Sequence, residues 1–319
     1  MNKLLVLTII TAAVSLYAIS SFTSTSAGVE DQFYSFMAEH KKSYTSEAEL
    51  GFRMELFKES MKKAEQLNIK HPKARFGATQ FSDITDEEYS QYLGKSQVSD
   101  NEAEIVTLEE PATFSNVDFR HVMQAVQSQG KCGSCWAFAS AAVMEGRLCW
   151  DKGLCEKLSE QQYVDCVTEC SGCGGGDEIE SYKYLKNQPS CFYDSYPYEG
   201  IQKECRDSTC HQGPKSLGGN KVVGEAQIYA ALQNGPVSIG LNFDEWPKHY
   251  QGGVVTNSMC VSTNINHAIT VVGYQEDKDG SYWIVRNSYG AAWGESGHFR
   301  LQYGTGVCEM GKDCAFAIV

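Results

Sequence analysis

The 319-residue sequence predicts an α+β protein, a helical half followed by an antiparallel β half, with a separate helical segment ahead of both. Cysteine usage divides the chain: all 13 cysteines lie from Cys132 onward and none falls in residues 28–110. Apolar residues recur at helical spacing in residues 28–95 and fill a run after Cys135. The last third carries short apolar runs broken by Gly, Asp and Glu, the pattern of strands joined by turns.

Asn2 and Lys3 precede an apolar stretch at 4–10 and small residues to Ala18. A charged start, a short apolar run and small residues predict a secretory signal peptide in residues 1–18, cleaved between Ala18 and Ala27. The run is too short for a membrane span, and no later stretch approaches one. Phe33, Phe36 and Met37 predict a first short helix. Phe52, Leu56, Met61, Ala64 and Leu67 carry an apolar stripe along a longer one that ends near His71-Pro72. Asp83 to Tyr89 reads as a cap and a short helix start. Residues 94–110 are polar and acidic and read as an exposed, cleavable linker before Pro111.

Downstream, the small apolar run 137–148 predicts a deeply buried helix. Ser159-Glu160-Gln161-Gln162 predicts a second, shorter helix capped by Ser159. Runs 235–241, 267–274, 282–287 and 298–303 predict strands. Hydrophobic residues make up 42%, enough to bury a sizeable core. A formal charge of −13 argues against a nucleic-acid surface, which needs clustered Lys and Arg. Thirteen cysteines behind a secretory signal predict a disulfide framework, and the odd total leaves a thiol over.

The stretch from Gln129 to Trp136 places Cys135 in the first turn of the buried helix. There the macrodipole and free N–H groups favour a thiolate. Three chemistries suit these residues. Cys132-x-x-Cys135 with Cys170-x-x-Cys173 has the outline of a zinc ribbon, against which stand the signal peptide and nine further cysteines. A redox dithiol would follow a βαβ pattern, and none precedes it. A cysteine nucleophile needs a base within reach and a third group to orient that base. Of the seven histidines, His267 heads an apolar strand, and Asn287 ends a similar one before a Gly/Trp turn. This third chemistry requires no metal and no cofactor.

Residues 111–319 resemble the papain-like cysteine proteases of the cathepsin L branch. The resemblance rests on Cys132-Gly133-Ser134-Cys135-Trp136 with His267 and Asn287 about 130–150 residues downstream. It rests also on Val117-Asp118-Phe119-Arg120, Ser159-Glu160-Gln161-Gln162, Cys173-Gly174-Gly175-Gly176, Tyr196-Pro197-Tyr198 and Trp293-Gly294-Glu295-Ser296-Gly297. It implies a papain-like two-subdomain fold, a helical left half and an antiparallel β-barrel-like right half, behind a helical propeptide. It implies an endopeptidase in which Cys135 is the nucleophile, with a thiol pKa of roughly 3–4, and His267 is base and then acid. Asn287 would orient His267, and Gln129 would join the Cys135 N–H as oxyanion donor. Tyr289 stands where the family has Trp over the His–Asn pair. Gly175 and Gly176 would hold an extended peptide by backbone hydrogen bonds. Asp177, Glu178, Gly240 and Asp313 would line the pocket for the second residue before the cut, and their acids lead us to expect Arg there beside hydrophobic side chains.

The resemblance also implies the bridges Cys132–Cys173, Cys166–Cys205 and Cys260–Cys308. Loop proximity adds Cys191–Cys210 and Cys149–Cys155. Cys170–Cys314 is the remainder, with exchanges among Cys149, Cys155, Cys170 and Cys314 open, and parity leaves Cys135 unpaired. Residues 28–110 resemble the inhibitory propeptide of this branch at Glu49, Arg53, Phe57 and Asn68, and again at Gly77, Phe81 and Asp83. Glu49 and Arg53, one helical turn apart, are expected to pair. Acid is expected to protonate the segment's carboxylates and loosen it, with processing near Glu109 or Glu110 as Leu108 enters the pocket. The implied partners are protein and peptide substrates, the chain's own propeptide and cystatin-type inhibitors, met by a monomer that is secreted or sent to a lysosome-like vacuole. A catalytically silent binding protein is disfavoured by intact Gln129, Cys135, His267 and Asn287. An exopeptidase is disfavoured because no inserted segment is evident to block one end of a cleft.

Overall fold

Helix α1 (28–39) places Phe33 and Phe36 against Phe57 of α2 (Glu47–Lys70), an aromatic cluster of the N-terminal segment's own. The computed structural model describes residues 28–96, 104–260, 262–278 and 280–319; the expected signal peptide and residues 97–103 of the linker lie outside them. Ser46 caps α2 by accepting the Glu49 N–H, and the helix stops at His71 before Pro72. Arg53 does not pair with Glu49. Its guanidinium takes Glu88 in a two-point pair, 2.5 and 2.7 Å, while Glu49 accepts from Thr45. A planar fork facing a whole carboxylate across two elements outcompetes a single contact along one helix face. Asn68 acts as a strand partner: its amide donates to the Phe76 carbonyl and accepts the Phe76 N–H, fixing β1 (Ala74–Phe76) beside α2. Thr85 and Glu88 close a capping box at α3 (Asp86–Ser90).

Past β2 (Val117–Asp118), helix α4 (Cys135–Lys152) is buried from Cys135 to Cys149 on every side, so it carries no polar stripe. Small residues make this possible. A side chain at Gly146 would lie 2.5 Å from Pro236 Cγ and 2.8 Å from Met123 Sδ. Gly153, with φ of 68°, ends the helix in the left-handed conformation that glycine tolerates. Around α4 pack α5 (Glu160–Cys166), capped by Ser159 as expected, and α6 (Glu178–Asn187), capped by Asp177. The β half follows: β3 (Gly218–Val222), α7 (Glu225–Leu232), β4 (Val237–Leu241), β5 (Tyr250–Val255), β6 (His267–Asp277), β7 (Gly280–Arg286), β8 (His298–Gln302) and β9 (Cys314–Ile318). The sheet runs β1-β5-β8-β7-β6-β4-β9-β3, with β2 on β6.

The N-terminal segment is woven into this half. Strand β1 pairs antiparallel with β5, and Phe76, Phe81, Ile84 and Tyr89 are buried in the same core as Ile239, Trp283 and Phe299. No helix among the described residues is long and apolar enough to cross a membrane. Strands β4, β6, β7 and β8 fall on the expected runs. Strand β3 was invisible because Gly218-Gly219 has little strand propensity and is held by its ladder with β9.

Five disulfides form: Cys132–Cys173, Cys149–Cys155, Cys166–Cys205, Cys191–Cys210 and Cys260–Cys308. The expected Cys170–Cys314 bridge does not. Both thiols are buried and free alongside Cys135, so the odd total reflects three unpaired cysteines rather than one. Parity counts partners but carries no distance, and a bridge needs Cα atoms within about 7 Å. Cys132 and Cys173, one from each CxxC, are joined to each other, which removes two of the four zinc-ribbon ligands.

Candidate active site

Cys135 is the first residue of α4, His267 the first of β6, and Asn287 the first beyond β7. The β6–β7 ladder sets Thr270 opposite Arg286, which carries His267 and Asn287 to the same end of the hairpin. His267 Nε2 lies 2.9 Å from Asn287 Oδ1. That oxygen also accepts the Ser288 N–H at 2.8 Å, so the imidazole is the donor and its proton sits on Nε2. Nδ1 is left as the lone-pair nitrogen, buried and without a well-aligned hydrogen bond among the described residues, and the Tyr92 carbonyl faces the ring and, like Asn287, favours its protonated form against burial. The N–H of Ala268, one residue on, donates to Cys135 Sγ at 3.4 Å, which joins the thiol to the strand that carries His267. Phe243 stacks on the imidazole at 4.5 Å and Tyr289 tilts over it at 5.1 Å, so Tyr289 does supply aromatic cover.

Gln129 is fixed at both ends of its amide. Ser288 Oγ donates to Oε1 at 2.6 Å, while Nε2 donates to the carbonyls of Cys132 and Tyr92, each at 2.9 Å. Tyr92 belongs to the N-terminal segment, which crosses the site at residues 92–96. Gly94 accepts from the Gly176 N–H at 2.9 Å, Ser96 donates to the Gly176 carbonyl at 3.1 Å, and Lys95 donates to the Asn266 carbonyl at 3.0 Å. Lys95 thereby pairs parallel with Gly176. Only glycine fits at 94, where a Cβ would come 1.8 Å from the Gly133 carbonyl oxygen.

Beneath this cover Cys135 and His267 have no solvent exposure. Burial pushes the thiol up to about 11 and the imidazole down to about 4, against the Asn287 contact. Both are therefore neutral while the segment is seated.

The expected pocket residues converge. Lys95 Nζ lies 2.7 Å from Asp177 Oδ2, 2.5 Å from Glu178 Oε2 and 3.1 Å from Asp313 Oδ2, with 1% of its side chain exposed. Burial alone would lower the ammonium's pKa, but Glu178, Asp177 and Asp313 together hold it well above the usual lysine value. Burial raises Glu178 to about 7 in spite of Lys95, whereas Lys95 and a backbone N–H keep Asp177 low against its own burial. Gly240 forms part of the wall: a Cβ there would lie 2.6 Å from Ile265 Cγ2 and 3.4 Å from Asp313 Oδ2.

One expectation changes here. The linker is not exposed at its start, because Lys95 is buried in the pocket. In the intact chain Leu108, the residue expected to enter that pocket at processing, is docked on α7, where its backbone exchanges hydrogen bonds with Gln227 at 2.7 and 3.1 Å. Sequence reasoning missed Tyr92, Gly94, Lys95, Phe243 and Ser288. A lone Lys after Gly in an acidic run gave the only signal, and no spacing rule singles it out.

Residues 113–318 match the papain family of cysteine proteases, and residues 33–89 match the cathepsin propeptide inhibitor domain. Cysteine proteinase 3 of Entamoeba histolytica is 31% identical over 93% of this chain and 97% of its own length. A cathepsin L-like proteinase of Phaedon cochleariae is 32% identical over 86% of this chain and 89% of its own. Among solved structures, the digestive procathepsin L 3 of Tenebrio molitor larval midgut superposes with a TM-score of 0.82 at 29% identity, covering 91% of this chain and 99% of that one.

Proposed function

The chain belongs to the papain family of cysteine proteases, a cathepsin L-type endopeptidase made as a zymogen, and on that premise we propose that Cys135, His267, Asn287 and Gln129 carry its chemistry. Once the site is uncovered, the Cys135 proton passes to His267 Nδ1 and the sulfur attacks the substrate carbonyl carbon. The carbonyl oxygen gains the charge, stabilised by Gln129 Nε2 and the Cys135 backbone N–H. As the C–N bond breaks, the imidazolium gives its proton to the leaving amine, and a thioester remains on Cys135. Water then attacks the thioester with His267 as base, and the acid product leaves. Asn287 keeps the imidazole in the tautomer this cycle needs.

One observation carries the reading: the segment around Lys95 lies in the cleft with backbone hydrogen bonds to Gly176 on either side of it, as a bound peptide would, and Tyr92 just before it sets a carbonyl on Gln129. On this reading residues 28–110 are the propeptide and 111–319 the protease, whose pocket at Asp177, Glu178, Gly240 and Asp313 takes the side chain of the second residue before the cut. The protein enters the secretory pathway through residues 1–18, acts as a monomer outside the cell or in a lysosome-like compartment, and is open to cystatin-type inhibitors once processed. The test is turnover of a fluorogenic peptide by acid-processed protein. Cys135→Ser and His267→Gln should each abolish it while the near-ultraviolet circular dichroism of the full chain stays unchanged. Retained turnover in Cys135→Ser would contradict the assignment.

A further inference from the structure

We propose that the pocket walled by Asp177, Glu178 and Asp313 is a receptor for lysine, so that the enzyme prefers peptides with lysine at the second residue before the bond it cuts. The proposal deepens the function given above and rests on it. Three carboxylates, those of the consecutive residues Asp177 (the cap of α6) and Glu178 (its first residue) and that of Asp313 (the residue before β9), each place one oxygen near the single atom Lys95 Nζ; Asp177 and Glu178 accept hydrogen bonds from it, and Asp313 faces it as an ion pair. An ammonium is a compact charge with three N–H donors, so two separate hydrogen-bond acceptors with a third carboxylate beside them match it. A guanidinium is a planar fork that wants acceptors in its own plane, in pairs, and this wall does not pair them.

Space and charge agree. Glycine at 240 keeps the wall next to Asp313 clear. Three acids face one ammonium, with Lys221 Nζ 3.7 Å from Asp313 as partial relief. An apolar side chain in the same place would bury carboxylates without their counter-ion, which is strongly unfavourable. Lys95 reaches the pocket because its backbone is held by Asn266 and Gly176, the latter being the edge on which an extended peptide would lie. The propeptide thus carries its own copy of the preferred side chain, next to the glycine that presses on Gly133.

The experiment compares kcat/KM of the acid-processed enzyme at pH 7.5 on four peptides that differ only at the second residue before the cut: Lys, Arg, norleucine and Leu. Lysine should exceed norleucine, its uncharged counterpart, by at least about tenfold and should exceed Arg. Asp313→Asn and Glu178→Gln should each lower the Lys-to-norleucine ratio. Because the ratio is the readout, a poorly folded variant lowers both rates together and leaves it unmoved. Norleucine or Leu equalling Lys, Arg matching or exceeding Lys, or a ratio untouched by both variants would overturn the proposal while leaving the protease reading intact. No turnover of any of the four peptides, with Cys135 inert to thiol reagents, would overturn the protease reading and this proposal with it.

Discussion

Cys135 and His267 titrate in opposite directions under the propeptide, and that makes the covered site chemically inert as well as blocked. With the thiol pushed up to about 11 and the imidazole down to about 4, the proton stays on sulfur at every pH between. Removing residues 92–96 lets water back and relieves the burial that opposes a thiolate–imidazolium pair. In the intact chain Gln129 Nε2 holds the Tyr92 carbonyl, and on the role proposed for it the same N–H would serve a developing oxyanion once that carbonyl leaves. Gln129→Ala should therefore lower kcat by about 10²–10³ with a much smaller change in KM, because the donor acts where charge develops rather than where substrate rests. Steady-state kinetics on the processed variant checks this, and an effect confined to KM would count against the role. The convergence of Cys135, His267, Asn287 and Gln129 was legible from residue types and order. The tautomer was not, since it depends on the Ser288 N–H that occupies Asn287 Oδ1.

At the scale of elements, the question is which contact lets go in acid. The Arg53–Glu88 pair between α2 and α3 is a poor candidate: the Arg53 guanidinium holds Glu88 at about 2, so the pair outlasts any mild acidification. Of the carboxylates expected to take up protons, Glu88 is thereby removed from the range of mild acid. Two histidines at the seam fit better. His71 faces Ser258, and His249, in the turn before β5, faces Ser60 of α2. Burial, then Lys248 and Lys63, bring His249 down to about 4 against the pull of Asp86; Lys63 itself pairs with Glu245, and Lys248 with Asp86. The docked pKa lies below the usual 6.5, so docking favours the neutral ring. This contribution is complete above about pH 6.5 and is lost as pH falls toward 4, where release takes up a proton. Docking then weakens by up to about tenfold per pH unit. His249→Gln in the full chain should move the midpoint of acid processing to lower pH and make its onset shallower. An unchanged midpoint in a pH series of processing would show that the trigger lies elsewhere. None of this was legible from spacing: Glu49 is Arg53's neighbour in sequence, and the partner it uses belongs to another helix.

For the whole molecule, the propeptide works as structure in one half and as false substrate in the other. Its aromatic residues complete the core beneath β5, while residues 92–96 lie along Gly176 with Lys95 in the acidic pocket. The α+β order, the buried helix behind Cys135 and the hairpin carrying His267 and Asn287 could be read from pattern, because each depends on local periodicity and a few signature residues. Lys95, the free state of Cys170 and Cys314, and the strand-forming glycines of β3 could not, because each is decided by what the fold brings near. The central claim is that the intact chain is latent and that acid exposes one reactive thiol among three free ones. The direct measurement treats full-length protein at pH 7 with a thiol-alkylating reagent, before and after a brief acid step, and quantifies label on Cys135 by peptide mass spectrometry alongside peptide turnover. The account predicts no label on Cys135 and no turnover before the step, and both appearing together as residues 28–110 are removed, with Cys170 and Cys314 unlabelled throughout. Labelling and turnover at full extent with residues 28–110 still attached would contradict it.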